Sequence, residues 1–325
     1  MERGFVRKLS ALLVTAGLVA TLTACASNPG YADCGQYDSG EASSIIDVSG
    51  AFGAKPTVDY PTPIVVKDTQ ATQLIQGDGD RIVAGQPVRL ELSIHNGATG
   101  DEIQATGYDS NGILTMAGKS SLPSVGKALE CSTIGSRIVV AASPEDAHNA
   151  AAIAEIGVAD DDSFIFVVDI LDAYLPKANG TPQTPNAGDP VVVTAPDGAP
   201  GITVPTSGNA AVEPPEELVT SVLQRGDGEE LKEGAFAVLH YTGVLWNTNK
   251  VFDSTWQDHS AQAFQLAERS VVQGFLEGLV GQKVGSQVLL VVPPELGYGE
   301  TANGSIPAGS TLVFVVDILG QITPE

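Results

Sequence analysis

The sequence predicts an α+β protein made of two tandem domains, each a curved antiparallel β-sheet wrapped around one short α-helix. Three observations carry this expectation. The hexamer Phe166-Val167-Val168-Asp169-Ile170-Leu171 recurs letter for letter as Phe314-Val315-Val316-Asp317-Ile318-Leu319. Upstream, Ile134-Gly135-Ser136-Arg137-Ile138-Val139-Val140 parallels Val284-Gly285-Ser286-Gln287-Val288-Leu289-Leu290, so the offsets, 148 and 150 residues, nearly agree. A period that long marks two copies of a whole domain, not a solenoid of short repeats. The chain also has room for both: 325 residues, 43% hydrophobic and 17% charged, is a globular composition with length for about two domains.

In chain order, residues 1–24 read as a secretory signal. Arg3, Arg7 and Lys8 precede the apolar run Leu9 to Leu22, which falls short of the ~20 residues a membrane span needs. Leu22-Thr23-Ala24-Cys25 resembles the bacterial lipobox, which implies cleavage before Cys25 and a lipid on its sulfur. The mature chain would then be anchored on the outer face of a cell membrane, in an extracytoplasmic space. Cys34 and Cys131 are the remaining cysteines, an even pair suited to a disulfide in such a compartment.

Residues 25–63, rich in Gly, Ser, Asp and Pro, read as a flexible tether, and 178–212, with six prolines between 182 and 205, as a Pro/Gly-rich linker. Within the latter, Val191-Val192-Val193 has the composition of a strand that could join a neighbour. The copies occupy 64–177 and 213–325. In them Val88 to Ile94, Phe164 to Leu171, Ala235 to Leu245, Val288 to Val292 and Thr311 to Leu319 are apolar runs of strand length bounded by Gly or Pro. Gln273 to Val280 carries Phe275, Leu276, Leu279 and Val280 at helical spacing.

Composition excludes several functions. With 39 Asp+Glu against 16 Lys+Arg the net charge is −23, and a nucleic-acid partner, which needs phosphates neutralised, is not expected. The copies share the acidity, −9 for 64–177 and −10 for 213–325, so charge is read as solubility rather than chemistry. The four histidines fall in no zinc-binding spacing and no Cys-x-x-Cys occurs, so neither metal nor cofactor is expected. Aromatic residues do separate the copies: nine in 213–325, four in 64–177. A core common to both copies does not need the surplus, and an apolar ligand pocket is its simplest use.

The second copy carries the motifs His240-Tyr241-Thr242-Gly243, Val251-Phe252-Asp253-Ser254, Val271-Val272-Gln273-Gly274-Phe275, Gly297-Tyr298-Gly299, Ile306-Pro307 and Leu312-Val313-Phe314. In order and in register, these resemble the FK506-binding class of peptidyl-prolyl cis-trans isomerases. The resemblance implies a prolyl pocket walled by Tyr241, Phe252, Val271, Val272, Ile306 and Phe314, with Phe275 as its floor and Phe264 as a further wall. It further implies that Asp253 sets a carboxylate at the edge, Tyr298 bonds a ligand carbonyl through its hydroxyl, and Ile306 offers its backbone N–H. The family's usual floor is Trp, so Phe275 makes a wider, shallower one. Implied partners are proline-containing unfolded or exported polypeptides and macrolide inhibitors of the FK506 type. The other reading of the same pocket is a catalytically weak chaperone or scaffold.

The first copy lacks the motifs. Leu92 aligns with Tyr241, Ile103 with Phe252, Gln104 with Asp253, Val125 with Phe275, and His148 falls near Tyr298, while Phe166 keeps the place of Phe314. A degenerate domain that keeps the fold, has lost most isomerase activity and serves as a spacer or as a binding surface for unfolded chains is expected there.

Overall fold

A computed structural model describes residues 36–147, 159–205 and 212–323; the signal, Cys25, Cys34 and His148 lie outside the described residues. Two antiparallel sheets dominate. In the N-terminal half the order is Gln70–Ile75, Arg137–Ala142, Phe164–Ala173, Pro87–Asn96, Glu102–Ala105, with Ile113–Met116 also paired to Pro87–Asn96. In the C-terminal half it is Thr181–Pro182, Val219–Arg225, Gln287–Val292, Leu312–Ile322, Phe236–Leu245, Val251–Ser254, with Gln262–Gln265 also paired to Phe236–Leu245. Apart from the short edge strand Thr181–Pro182, the two orders are the same. So are the irregularities: bulges at Gln73/Ile75, Arg89/Leu90 and Ile94/His95 answer those at Val222/Gln224, Val238/Leu239 and Gly243/Val244. Bulges bend a strand and increase its twist, so corresponding bulges curve the two sheets at corresponding places.

Alternation along Phe236–Leu245 sends Ala237, Leu239, Tyr241 and Leu245 to one face and Val244, with Trp246 just beyond, to the other. The first face packs on the helix Gln273–Leu279, whose Phe275 and Leu279 are buried. Gly274 makes this approach possible, because a Cβ there would lie 2.5 Å from Val292 Cγ1. The helix Pro123–Leu129 does the same in the N-terminal half with Val125 and Leu129.

Both faces of each sheet are covered, and part of the cover comes from residues within 36–63 and 178–205, the described parts of the segments read as tether and linker. Residues 47–59 form a hairpin, Asp47–Ser49 with Thr57–Asp59. Together with Ile46, Ile64 and Val66 it packs on Val139, Ala141, Ile165 and Val167, the outer face of the first sheet. The hairpin Val191–Thr194 with Pro200–Thr203 and the following Val204 cover Leu289, Val291, Val313 and Val315 of the second. Val191 to Val193 therefore pair with the next segment of their own chain, not with a sheet. Runs such as Val288 to Val292 are continuously apolar because both faces are covered, as in any sheet so enclosed. Each buried Val or Leu contributes roughly 1.5–3 kcal/mol. Cys131 is disulfide-bonded.

Candidate active site

The strand Phe236–Leu245 carries Tyr241 and, two residues on, Gly243. Gly243 pairs with Asp253 on one side and Phe314 on the other. A Cβ at Gly243 would meet the Phe252 ring at 2.4 Å; its absence lets Phe252 lie flat across the strand toward Phe314. The Phe252 and Phe314 rings meet edge to face at 5.5 Å. Phe275 sits at the centre of the group, with centroids 5.3 Å from Phe314, 6.2 Å from Phe264 and 6.3 Å from Tyr241. Edge contacts of this kind add about 0.5–1.5 kcal/mol each beyond burial. Ile306 is buried in the same cluster, and Val271 and Val272 pack on it. Every predicted pocket wall thus converges on one place, with Tyr298, 38% exposed, beside it after the turn Pro294–Leu296.

Polar groups at the site are few and placed by backbone register. The Tyr241 hydroxyl donates to the Asp253 carboxylate across the strand pair. Burial first, then this carboxylate and the nearby Tyr298, push the Tyr241 phenol well above the usual tyrosine range, so it stays neutral. Asp253 is exposed on the strand Val251–Ser254. Residues 271 and 272 enter the cluster because Val272 is the extended N-cap of the helix and its carbonyl accepts from the Phe275 and Leu276 amides.

The Ile306 amide has a partner within the chain. The Ile306 N–H donates to the Asn303 carbonyl at 2.9 Å, and the Asn303 N–H returns the bond at 2.9 Å, so the Ile306 amide is committed within its own turn. Sequence reasoning missed Thr255. Its hydroxyl accepts the Tyr241 N–H at 2.9 Å and bonds His240 Nδ1 at 2.9 Å, fixing the strand that carries Tyr241. The His-Tyr-Thr-Gly and Phe-Asp-Ser-Thr runs sit opposite each other, and only that pairing reveals it.

In the N-terminal half the register gives Leu92 opposite Val168 as Tyr241 is opposite Val316, and Ile94 opposite Gln104 as Gly243 is opposite Asp253. The aligned residues therefore occupy corresponding positions. Ile94, unlike Gly243, carries a side chain where Phe252 lies in the other half. A small cavity of about 300 Å3 remains there, lined by Leu92, Ile94, Gln104 and Thr106 among others.

Residues 227–319 match the family described as FKBP-type peptidyl-prolyl cis-trans isomerase. FK506-binding protein 2B of Rhizopus delemar is 42% identical over 129 residues, covering 38% of this chain and 61% of that protein. The probable FK506-binding protein of Corynebacterium glutamicum is 38% identical over 105 residues, covering 32% and 87%. The FK506-binding protein of Streptomyces anulatus is 36% identical over 109 residues, covering 33% and 88%. The chain thus spans less than two thirds of the fungal protein and most of each bacterial one. With those bacterial relatives covered nearly end to end by the stretch that holds the aromatic cluster, the chain belongs to the FKBP-type peptidyl-prolyl cis-trans isomerases.

Proposed function

We propose that residues 213–325 catalyse cis/trans exchange about X-Pro bonds of unfolded or exported polypeptides, from a chain lipid-anchored through Cys25 on the outer face of a cell membrane. The observation that carries this is the convergence of Tyr241, Phe252, Phe264, Phe275 and Phe314 on one cluster, with the Asp253 carboxylate bonded to Tyr241 at its edge. Rotation about X-Pro faces a barrier of ~18–20 kcal/mol set by amide resonance. Lowering it requires no nucleophile. It requires surroundings that favour the twisted imide, whose carbonyl and nitrogen have lost conjugation, over either planar isomer. Apolar rings withdraw the planar amide's hydration, and Tyr298 places a hydroxyl at the rim for the substrate carbonyl. Asp253, already holding the Tyr241 proton donor, fixes the phenol ring as a wall and adds a negative field beside the imide.

The N-terminal half is proposed as a second, degenerate copy of the domain, its repeat now including the covering hairpin. The common order of the six shared strands and the corresponding bulges support this, and its cavity beside Leu92 and Ile94 suits binding of extended chain without catalysis. The FK506-type macrolides are proposed as competing ligands, with less contact on Phe275 than a Trp floor would give.

The test is the isomerisation rate of a short X-Pro peptide with the full chain, Phe252→Ala and Asp253→Ala. Acceleration by the parent chain and its loss in both variants are expected. Full activity in both variants overturns the site, and no acceleration at all overturns the enzyme. Anchoring is read separately: Cys25→Ser should move the chain out of the membrane fraction, and unchanged fractionation overturns the anchor.

A further inference from the structure

A groove of about 660 Å3 runs beside the aromatic cluster and shares Val271, Val272 and Tyr298 with it. Its lining combines two chemistries. Val271, Val272 and Leu276 form an apolar wall, while Glu233, Glu268 and Glu277 face a single cation, Arg269, a formal balance of −2. Glu277 is aligned along its helix by a hydrogen bond from Gln273 at 2.6 Å. Among the described residues the salt bridges are Lys55–Glu102, Arg89–Asp172 and Arg137–Asp169, so none neutralises a groove carboxylate. Uncompensated charge lining a concave surface concentrates opposite charge there.

A proline ring against the cluster puts its neighbours in the chain within ~3.8 Å per residue of the shared wall. An apolar wall ending in carboxylates fits one kind of side chain, a long aliphatic stem with a cationic head. Resting on the isomerase reading above, we propose that this groove selects substrates in which Lys or Arg adjoins the proline. The stem covers Val271, Val272 and Leu276, and the ammonium or guanidinium reaches Glu268 or Glu277. Glutamate at the same place is disfavoured.

The experiment uses the full chain and matched peptides with Lys, Leu or Glu beside the proline, on either side of it. Exposed ion pairs are individually weak, so kcat/KM for Lys over Glu should be about fivefold at low salt. It should shrink toward one at 0.5 M salt, where charges beyond a few ångströms are screened. In Glu268→Gln/Glu277→Gln the ratio, read within the variant, should fall at least twofold; folding of the variant is checked by its thermal midpoint. Equal Lys and Glu rates, or a ratio that neither salt nor the variant moves, overturns the proposal while turnover of the Leu peptide leaves the isomerase standing. No turnover of any peptide overturns both.

Discussion

The two halves share the order of their common strands, helix position and bulges, yet among the described residues only the second gathers five contacting rings, Tyr241, Phe252, Phe264, Phe275 and Phe314, with Phe275 carried by its helix. Leu92, Ile103 and Val125 in the first half stand where Tyr241, Phe252 and Phe275 stand in the second, and both helices are packed. The fold therefore depends on alternation, on bulge positions and on residues of moderate volume. The larger rings are a surplus over what folding needs, and a surplus at one spot is where ligand chemistry belongs.

A second contrast lies behind the sheets. Arg137 and Asp169, each 1% exposed, meet in a fork with contacts of 2.6 Å, and the guanidinium also donates to the Gly50 and Ala51 carbonyls of the covering hairpin. At the matching place Gln287 donates to Asp317 at 2.8 Å and the Ala178 amide donates to its other oxygen at 2.8 Å. The first half keeps an ion pair; the second keeps a carboxylate with neutral partners. Asp169→Ala strands Arg137 in the interior, and denaturant titration should show a loss of about 3–5 kcal/mol. Asp317→Asn at neutral pH should be harmless or stabilising, since burial pushes that carboxyl up to about 6. Equal losses at the two positions would erase the contrast.

Next in size is a transplant. Tyr241→Leu with Phe275→Val installs first-half residues in the second half. The sheet should persist, with a cavity cost of a few kcal/mol. Isomerase activity should fall roughly 100-fold, about 2.7 kcal/mol of barrier. Circular dichroism separates the outcomes: unfolding instead of inactivation would mean the rings carry the fold.

Much of this was legible in the chain. The strands around Phe314 and Phe166 and the helix at Phe275 follow from period and length, and observed bounds of Leu312–Ile322 and Gln273–Leu279 lie within a few residues of those expected. The aromatic set was legible from the surplus of rings in one copy and from motifs in register, since a ring at a strand or turn is by itself more often plain core: Trp246 packs under the covering hairpin and Trp256 stacks on His240. The covering hairpins were missed because Gly and Pro interrupt them, three in residues 47–59 and four in 191–203, and their strands are short. Yet strands such as Gln287–Val292, apolar at successive positions, already demanded cover on a second face. Thr255 and the committed Ile306 amide were invisible because they depend on which backbone atoms face each other across a strand pair or turn.

Smaller effects test the hydroxyl that both halves keep. Thr106 accepts the Leu92 N–H at 3.0 Å and donates to Glu91, as Thr255 serves Tyr241 and His240. Thr255→Val should cost about 1–2 kcal/mol in thermal or chemical unfolding. Thr106→Val should cost more, because Glu91 is fully buried and its other oxygen has no partner. The reverse order would show that the imidazole depends on its threonine more than the carboxylate does.

The last contrast is a cancellation in the second half. Burial, with His259 nearby, lowers His240 from 6.5 to about 4, so the unfolded chain binds the extra proton between those values and stability falls as pH falls through them. Asp317, raised from 3.8 to about 6 by burial, works oppositely: the folded chain binds the extra proton, and its contribution is lost as pH rises from about 4 to 6. Between pH 4 and 6 the two slopes offset each other. Asp317→Asn removes one, so the variant should lose stability on acidification faster than the parent across that window, as read by urea midpoints at half-unit steps. Parallel profiles for variant and parent would mean that the Asp317 carboxyl titrates alike in the folded and unfolded chain.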